Sequence, residues 1–157
     1  DIVMPCVDES RFINQIEKDK FINAILRCIE LFEKNDINLS IESDLKPNEL
    51  IKLVEDFNSS KVTINYDMGN SAGLGYNCID EFKTYGHKIS DVHIKDRVLY
   101  GDSVPLGDGN VNFKKIFKGL KSLNYSGPLI MQAYRDDEGL SIFEKQLYWI
   151  KELLNQI

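Results

Sequence analysis

Long apolar runs are missing from this chain. None approaches the roughly 18 to 20 residues that a membrane-spanning helix needs, so no bilayer span is expected and no targeting segment is visible. Cysteine is scarce and scattered: Cys6, Cys28 and Cys78 are odd in number and share no Cys-x-x-Cys spacing. That excludes a disulfide framework and a zinc knuckle, and leads to the expectation of a reducing, cytoplasmic setting. Positive charge is also in deficit. A net charge of −6 with no Lys/Arg-rich run excludes a sequence-independent grip on nucleic acid, which needs a basic face.

What is present is enough for one folded unit. With 157 residues, 43% of them apolar, the chain reads as a single domain over 1–157 with a core of its own. Strand-like runs IVMPCV (2–7), LSIE (39–42), VTINYD (62–67), DVHIK (91–95) and PLIMQA (128–133) alternate with segments of helical period. The first such segment carries Ile22, Ile25, Cys28, Ile29 and Phe32 on one face. The second begins at Pro47 and carries Leu50, Ile51, Val54 and Phe57. The third lies around Ile79, Phe82 and Tyr85, after a loop GNSAGLGYN. The fourth carries Phe113, Ile116, Phe117, Leu120 and Leu123, and the last Phe143, Leu147, Ile150 and Leu154. The fold class is therefore α/β, with five βα units and a parallel sheet.

Three consecutive strands end in residues that can bind a metal. Glu42, Asp67 and His93 are 25 and 26 residues apart, about one βα unit, which sets one of them at the mouth of each strand. Singly each has an ordinary explanation: a solvated carboxylate, a turn before Gly69 and Asn70, a core histidine. Together at this spacing they make a site. The equivalent position on the fifth strand is Gln132, whose amide oxygen can face a metal but cannot take a proton at neutral pH. A doubly wound sheet places its site at one crevice where strand order reverses, whereas the strand ends of a (β/α)8 barrel converge. Convergent ligands favour the barrel, and five units make an incomplete one.

The stretches IVMPCVDES, LSIESDLKP, VTINYDMGNS, VHIKDR with VPLGDGNVNF, and GPLIMQAYR resemble the xylose-isomerase-like TIM barrels. Within them lie sugar-phosphate isomerases and epimerases such as L-ribulose-5-phosphate 3-epimerase and the hexulose-6-phosphate isomerases. The HIKDR and LGxGxVxF pair is the more specific part. The resemblance implies a (βα)5 unit corresponding to strands 4–8, with the N-terminal half missing. It implies one divalent metal held by Glu42, Asp67 and His93, with Gln132 where a fourth ligand, a Glu, is expected. Mn²⁺ is the expected ion, with Mg²⁺, Co²⁺ and Zn²⁺ as alternatives. An endonuclease-IV-like relative on the same barrel would need three metals and more histidines than His87 and His93.

Isomerising or epimerising a ketose removes a proton next to a carbonyl, and a metal on the carbonyl and hydroxyl oxygens stabilises the resulting enediolate. Glu42 is the candidate base. With Gln132 unable to return the proton, either another group such as Lys95 or Asp96 takes over, or the reaction is a one-face aldose–ketose isomerisation that needs a single base. Arg97 and Arg135, with the backbone of Gly107–Gly109, are candidates for a substrate phosphate, and Asn70 is placed beside the substrate. Asp8, Glu9 and Ser10 read as a helix start that could line the pocket. The partner is thus a small sugar or sugar phosphate. A non-catalytic, sugar-binding or structural remnant is the rival reading. The start at Asp1, directly in a strand, gives the expectation of a fragment. Two open sheet edges and an apolar inner face give the expectation of self-association, as a homo-oligomer or with the missing half.

Overall fold

The computed structural model describes residues 1–137 and 139–157. The aliphatic runs form five strands, β1 (Ile2–Cys6), β2 (Leu39–Ser43), β3 (Val62–Asp67), β4 (Ile89–Ile94) and β7 (Leu129–Met131). All pair in parallel, in the spatial order β1-β2-β3-β4-β7. Strand order follows chain order without a reversal, so the crevice of a doubly wound sheet is absent among the described residues. A hairpin of β5 (Asp96–Arg97) and β6 (Ser103–Val104) sits in the segment after β4, where the sequence reads as loop.

Side chains alternate across a strand, and the two faces differ in chemistry. Leu39 and Ile41, Val62, Ile64 and Tyr66, and Val92 and Ile94 share the outer face and are at most 2% exposed. Helix α3 (Pro47–Glu55) covers them with Leu50, Leu53 and Val54, with Pro47 in its first turn where no backbone donor is needed. Helix α5 (Cys78–Tyr85) adds Phe82 and Tyr85, and α6 (Phe113–Ser122) adds Phe113, Ile116, Phe117 and Leu120. Each such side chain contributes roughly 1.5–3 kcal/mol by leaving water.

The inner face of β2–β4 is polar, contrary to the apolar face expected from the sequence. Ser40 and Glu42, Thr63, Asn65 and Asp67, and Asp91 and His93 point inward and are all buried. At the floor, Ser40, Thr63 and Ser90 hydroxyls bond mutually at 2.6–3.1 Å. The β3–β4 register shifts once, between Ile64 and Asn65, whose partners are Ile89 and Asp91. Ser90 is the extra residue of this bulge.

Several helix boundaries differ from the sequence reading. The first helical segment breaks at Arg27–Cys28 into α1 (Gln15–Leu26) and α2 (Ile29–Lys34), leaving Cys28 exposed. Its cap is Asn14, whose side chain accepts from Glu17 N. Asp8–Ser10 form a separate 3-10 turn. The loop after Asp67 opens with a helix, α4 (Met68–Gly73). Leu123 falls outside α6 and is 37% exposed. On α7 (Leu140–Leu154), Phe143 and Leu154 stay at the surface, while Ile150 and Gln146 turn inward. Gln146 carries the amide inside because it bonds Leu106 N and the Tyr134 carbonyl. No helix among the described residues is long and apolar enough to cross a membrane.

Candidate metal centre

Strand geometry brings the three proposed ligands together. Glu42 is the fourth residue of β2, Asp67 the last of β3, and His93 is paired with Asp67 in register on β4. One ligand atom from each lies within 4.8 Å of the others, and all three side chains are buried. His93 Nδ1 is 3.4 Å from Glu42 Oε2 and 3.8 Å from Asp67 Oδ2.

The surroundings fix these groups. Glu42 Oε1 accepts from Asn70 Nδ2 at 2.6 Å, and Oε2 from Asn65 Nδ2 at 2.8 Å. Asp67 Oδ1 accepts from Asn70 N at 2.7 Å, so this carboxylate also caps α4. Its other oxygen, Oδ2, is buried without a hydrogen-bond partner, with Lys95 Nζ 3.8 Å away. Burial pushes the Asp67 carboxyl up to about 6 against the pull of Lys95. Burial presses His93 down, but the hydrogen bond and charge of Glu42, with Asp67 and Asp91, outweigh it and leave it raised. An orphaned carboxylate oxygen beside a second carboxylate and an imidazole fits a divalent cation, which would compensate the buried negative charge.

The remaining candidates are placed unevenly. Asn70 lies at the centre, its oxygen accepting from Arg97 Nη1 at 3.0 Å. Arg97 also donates from Nε to the Gly101 carbonyl and lies 3.7 Å from Asp8. Asp8, at the start of its 3-10 turn, also lines a cavity of about 280 Å³ with Arg11, Asp44, Asn70 and Arg97. Lys95 packs against α4 so closely that a Cβ on Gly69 would come within 2.7 Å of its Cγ. Gln132 and Arg135 are exposed, and the Gln132 backbone bonds the Ile94 carbonyl.

Two expectations are corrected. Asp96 is fully buried and accepts from the backbone N–H groups of Arg97, Gly107, Gly109 and Val111, so it folds the segment after β4 and is no proton carrier. The same bonds occupy the Gly107 and Gly109 N–H groups proposed for phosphate.

Asn65 was missed in the sequence. Its signal is the alternation within VTINYD, which gives Thr63, Asn65 and Asp67 one common face.

A family model described as xylose isomerase-like TIM barrel matches residues 3–153. An inosose dehydratase of Geobacillus thermodenitrificans is 23% identical over 91% of this chain and 56% of its own length. A putative L-ribulose-5-phosphate 3-epimerase of Haemophilus influenzae is 29% identical over 63% of this chain and 38% of its own. Among solved structures, the IolI protein with a bound zinc atom superposes with a TM-score of 0.71 at 18% identity, covering 92% of this chain and 60% of that one. The chain spans 36–56% of the lengths of the curated relatives it matches.

Proposed function

Because the chain belongs to the xylose isomerase-like TIM barrel family, we propose that it is the metal-binding part of a sugar isomerase or epimerase, corresponding to strands 4–8 of the barrel. The observation that carries this reading is the convergence of Glu42, Asp67 and His93 from three consecutive strand ends, with Asp67 Oδ2 left unpaired. Mn²⁺ is the ion we assign, ahead of Mg²⁺, Co²⁺ and Zn²⁺, since two carboxylates and one imidazole form a mixed, mainly hard donor set.

When bound, the ion would polarise the carbonyl and adjacent hydroxyl of a sugar and so lower the cost of the enediolate left by α-proton removal. Glu42 is the base for that proton. In this structure its two oxygens accept from Asn65 and Asn70, and the Asn70 bond at 2.6 Å fixes its direction. Asn70 is itself held by Arg97, so the Arg97–Asn70–Glu42 chain links the neighbouring cavity to the base. Lys95 Nζ, an ammonium beside Asp67, is the group that returns a proton. Proton removal next to a carbonyl is a first step open to isomerisation, epimerisation and dehydration alike, and the substrate class is a ketose or related polyhydroxy ketone, with or without phosphate. Arg97 and Arg135 are the groups on this chain for an anionic end.

The rival reading, a sugar-binding remnant without catalysis, is favoured by exposed Gln132 in place of a fourth carboxylate. The deciding experiment is calorimetric titration with Mn²⁺ of this chain and its His93→Ala variant. Binding by the first and its loss in the second are expected. A folded chain that takes up no Mn²⁺ would remove the metal from the account.

A further inference from the structure

Among the described residues, two buried side-chain polar atoms have no hydrogen-bond partner, Asp67 Oδ2 and Asn65 Oδ1, and both lie in this one site. An unpaired buried acceptor costs about 1–3 kcal/mol. Two in one place call for a shared cause. The metal proposed above accounts for Asp67 Oδ2. It leaves Asn65 Oδ1 unexplained, because Asn65 is not among the ligands read from the strand ends.

The amide of Asn65 is 3% exposed and stands between two of those ligands. Its Nδ2 is 2.8 Å from Glu42 Oε2 and 3.1 Å from His93 Nδ1. The other gaps in the cluster, His93 Nδ1 to Glu42 Oε2 and to Asp67 Oδ2, are 3.4 and 3.8 Å. Neighbouring ligands of an octahedral ion bound at 2.0–2.1 Å are about 3 Å apart. Nδ2 therefore occupies a position with the spacing of a ligand corner, but an NH₂ group has no lone pair for a cation. A half-turn about the last side-chain torsion, which is broad and two-fold in asparagine, exchanges Nδ2 with Oδ1 at nearly the same place.

We infer that Asn65 is a further metal ligand, through Oδ1, and that its amide turns over when the ion binds. The inference rests on the metal-site reading of Glu42, Asp67 and His93. Without the ion, the NH₂ end faces Glu42 and His93, donating to the carboxylate and leaving Oδ1 orphaned. With it, the oxygen end faces the cation, and the NH₂ end leaves the two ligands. The fourth protein ligand then comes from β3, two residues before Asp67, and exposed Gln132 is not needed to complete the set.

Mn²⁺ affinity by calorimetry and the visible spectrum of the Co²⁺ form are to be measured for the unaltered chain, Asn65→Leu, Asn65→Asp and His93→Ala. A ligand role predicts at least tenfold weaker Mn²⁺ binding and a changed Co²⁺ spectrum in Asn65→Leu. It predicts binding as tight as or tighter than the unaltered chain in Asn65→Asp, which places a carboxylate oxygen at the same corner. A role limited to donating to Glu42 predicts the reverse for Asn65→Asp, because the aspartate cannot donate and repels Glu42. Weakened binding there would overturn the inference, and it is readable even if Asn65→Leu fails to fold. Unchanged affinity and spectrum in both Asn65 variants, with binding lost in His93→Ala, would overturn the Asn65 role and leave the metal site standing. Absence of Mn²⁺ binding by the unaltered, folded chain would overturn both.

Discussion

The middle of the sheet and its two flanks are built to different degrees. In β2, β3 and the last four residues of β4, nearly every side chain is buried, packed by helices on one face and by a hydrogen-bonded polar network on the other. At the flanks, Ile2 of β1 and Leu129 and Ile130 of β7 are 45%, 39% and 42% exposed, and each strand has a partner on one side only. Glu42, Asp67 and His93 all come from the finished region. Gln132 and Arg135, assigned roles from the flank, are exposed. A site can thus be organised by three strands and their local loops, while the wall that would enclose a substrate depends on what pairs with the open edges.

Substitutions can test this contrast. The largest effect is expected for Ile41→Ala, which empties a fully buried position in the centre. It should cost about 3–4 kcal/mol in urea denaturation, the usual range for such truncations. Asp96→Asn comes next, at about 2 kcal/mol. The new NH₂ faces backbone donors where an anionic oxygen stood, and faster amide exchange at Gly107 and Gly109 should accompany it.

Glu81 tests the centre through pH. It is buried at the bond-accepting end of Ser71, Tyr66 and Tyr85, and burial raises its carboxyl above the ordinary 4.5 in spite of those bonds. Between 4.5 and the raised value the folded chain holds a proton that the unfolded chain has released, so this contribution to stability is complete below 4.5 and is lost as pH rises. Glu81→Gln is expected to flatten that decline in a series of unfolding curves. An unchanged slope would mean that another group sets it. The smallest effect is expected at Ile130→Ala, below about 1 kcal/mol, because the flank side chain is already in water. A loss comparable to that of Ile41→Ala would erase the distinction between centre and flank.

Much of the centre was legible in the sequence because its signals are local. VTINYD gives β3 to the residue, and the ligand spacing follows from the length of a βα unit. What escaped depends on contacts distant in sequence. Nothing in the spacing of Ile22 to Phe32 marks a break at Cys28, since both halves keep helical period. The glycine-rich loop after Asp67 conceals α4, which is started by the Asp67 carboxylate and admitted against Lys95 by Gly69. Asp96 reads as a possible acid, and only the return of Gly107, Gly109 and Val111 shows that its oxygens are taken. Phe143 and Leu154 keep the period of a buried face, but this chain alone does not cover them.

Ser90 touches none of the candidate ligands, yet it sets the phase of everything after it in β4. In a strand, adding or removing one residue turns every later side chain over. The bulge at Ser90 returns Asp91 and His93 to the side of Asn65 and Asp67, and sends Val92 and Ile94 into the helices. Were Ser90 instead paired in regular register opposite Asn65, Val92 would stand opposite Asp67 and the His93 imidazole would be pressed into hydrocarbon. A reading-frame choice, made by one serine at the far end of the strand, decides whether this sheet carries chemistry at all.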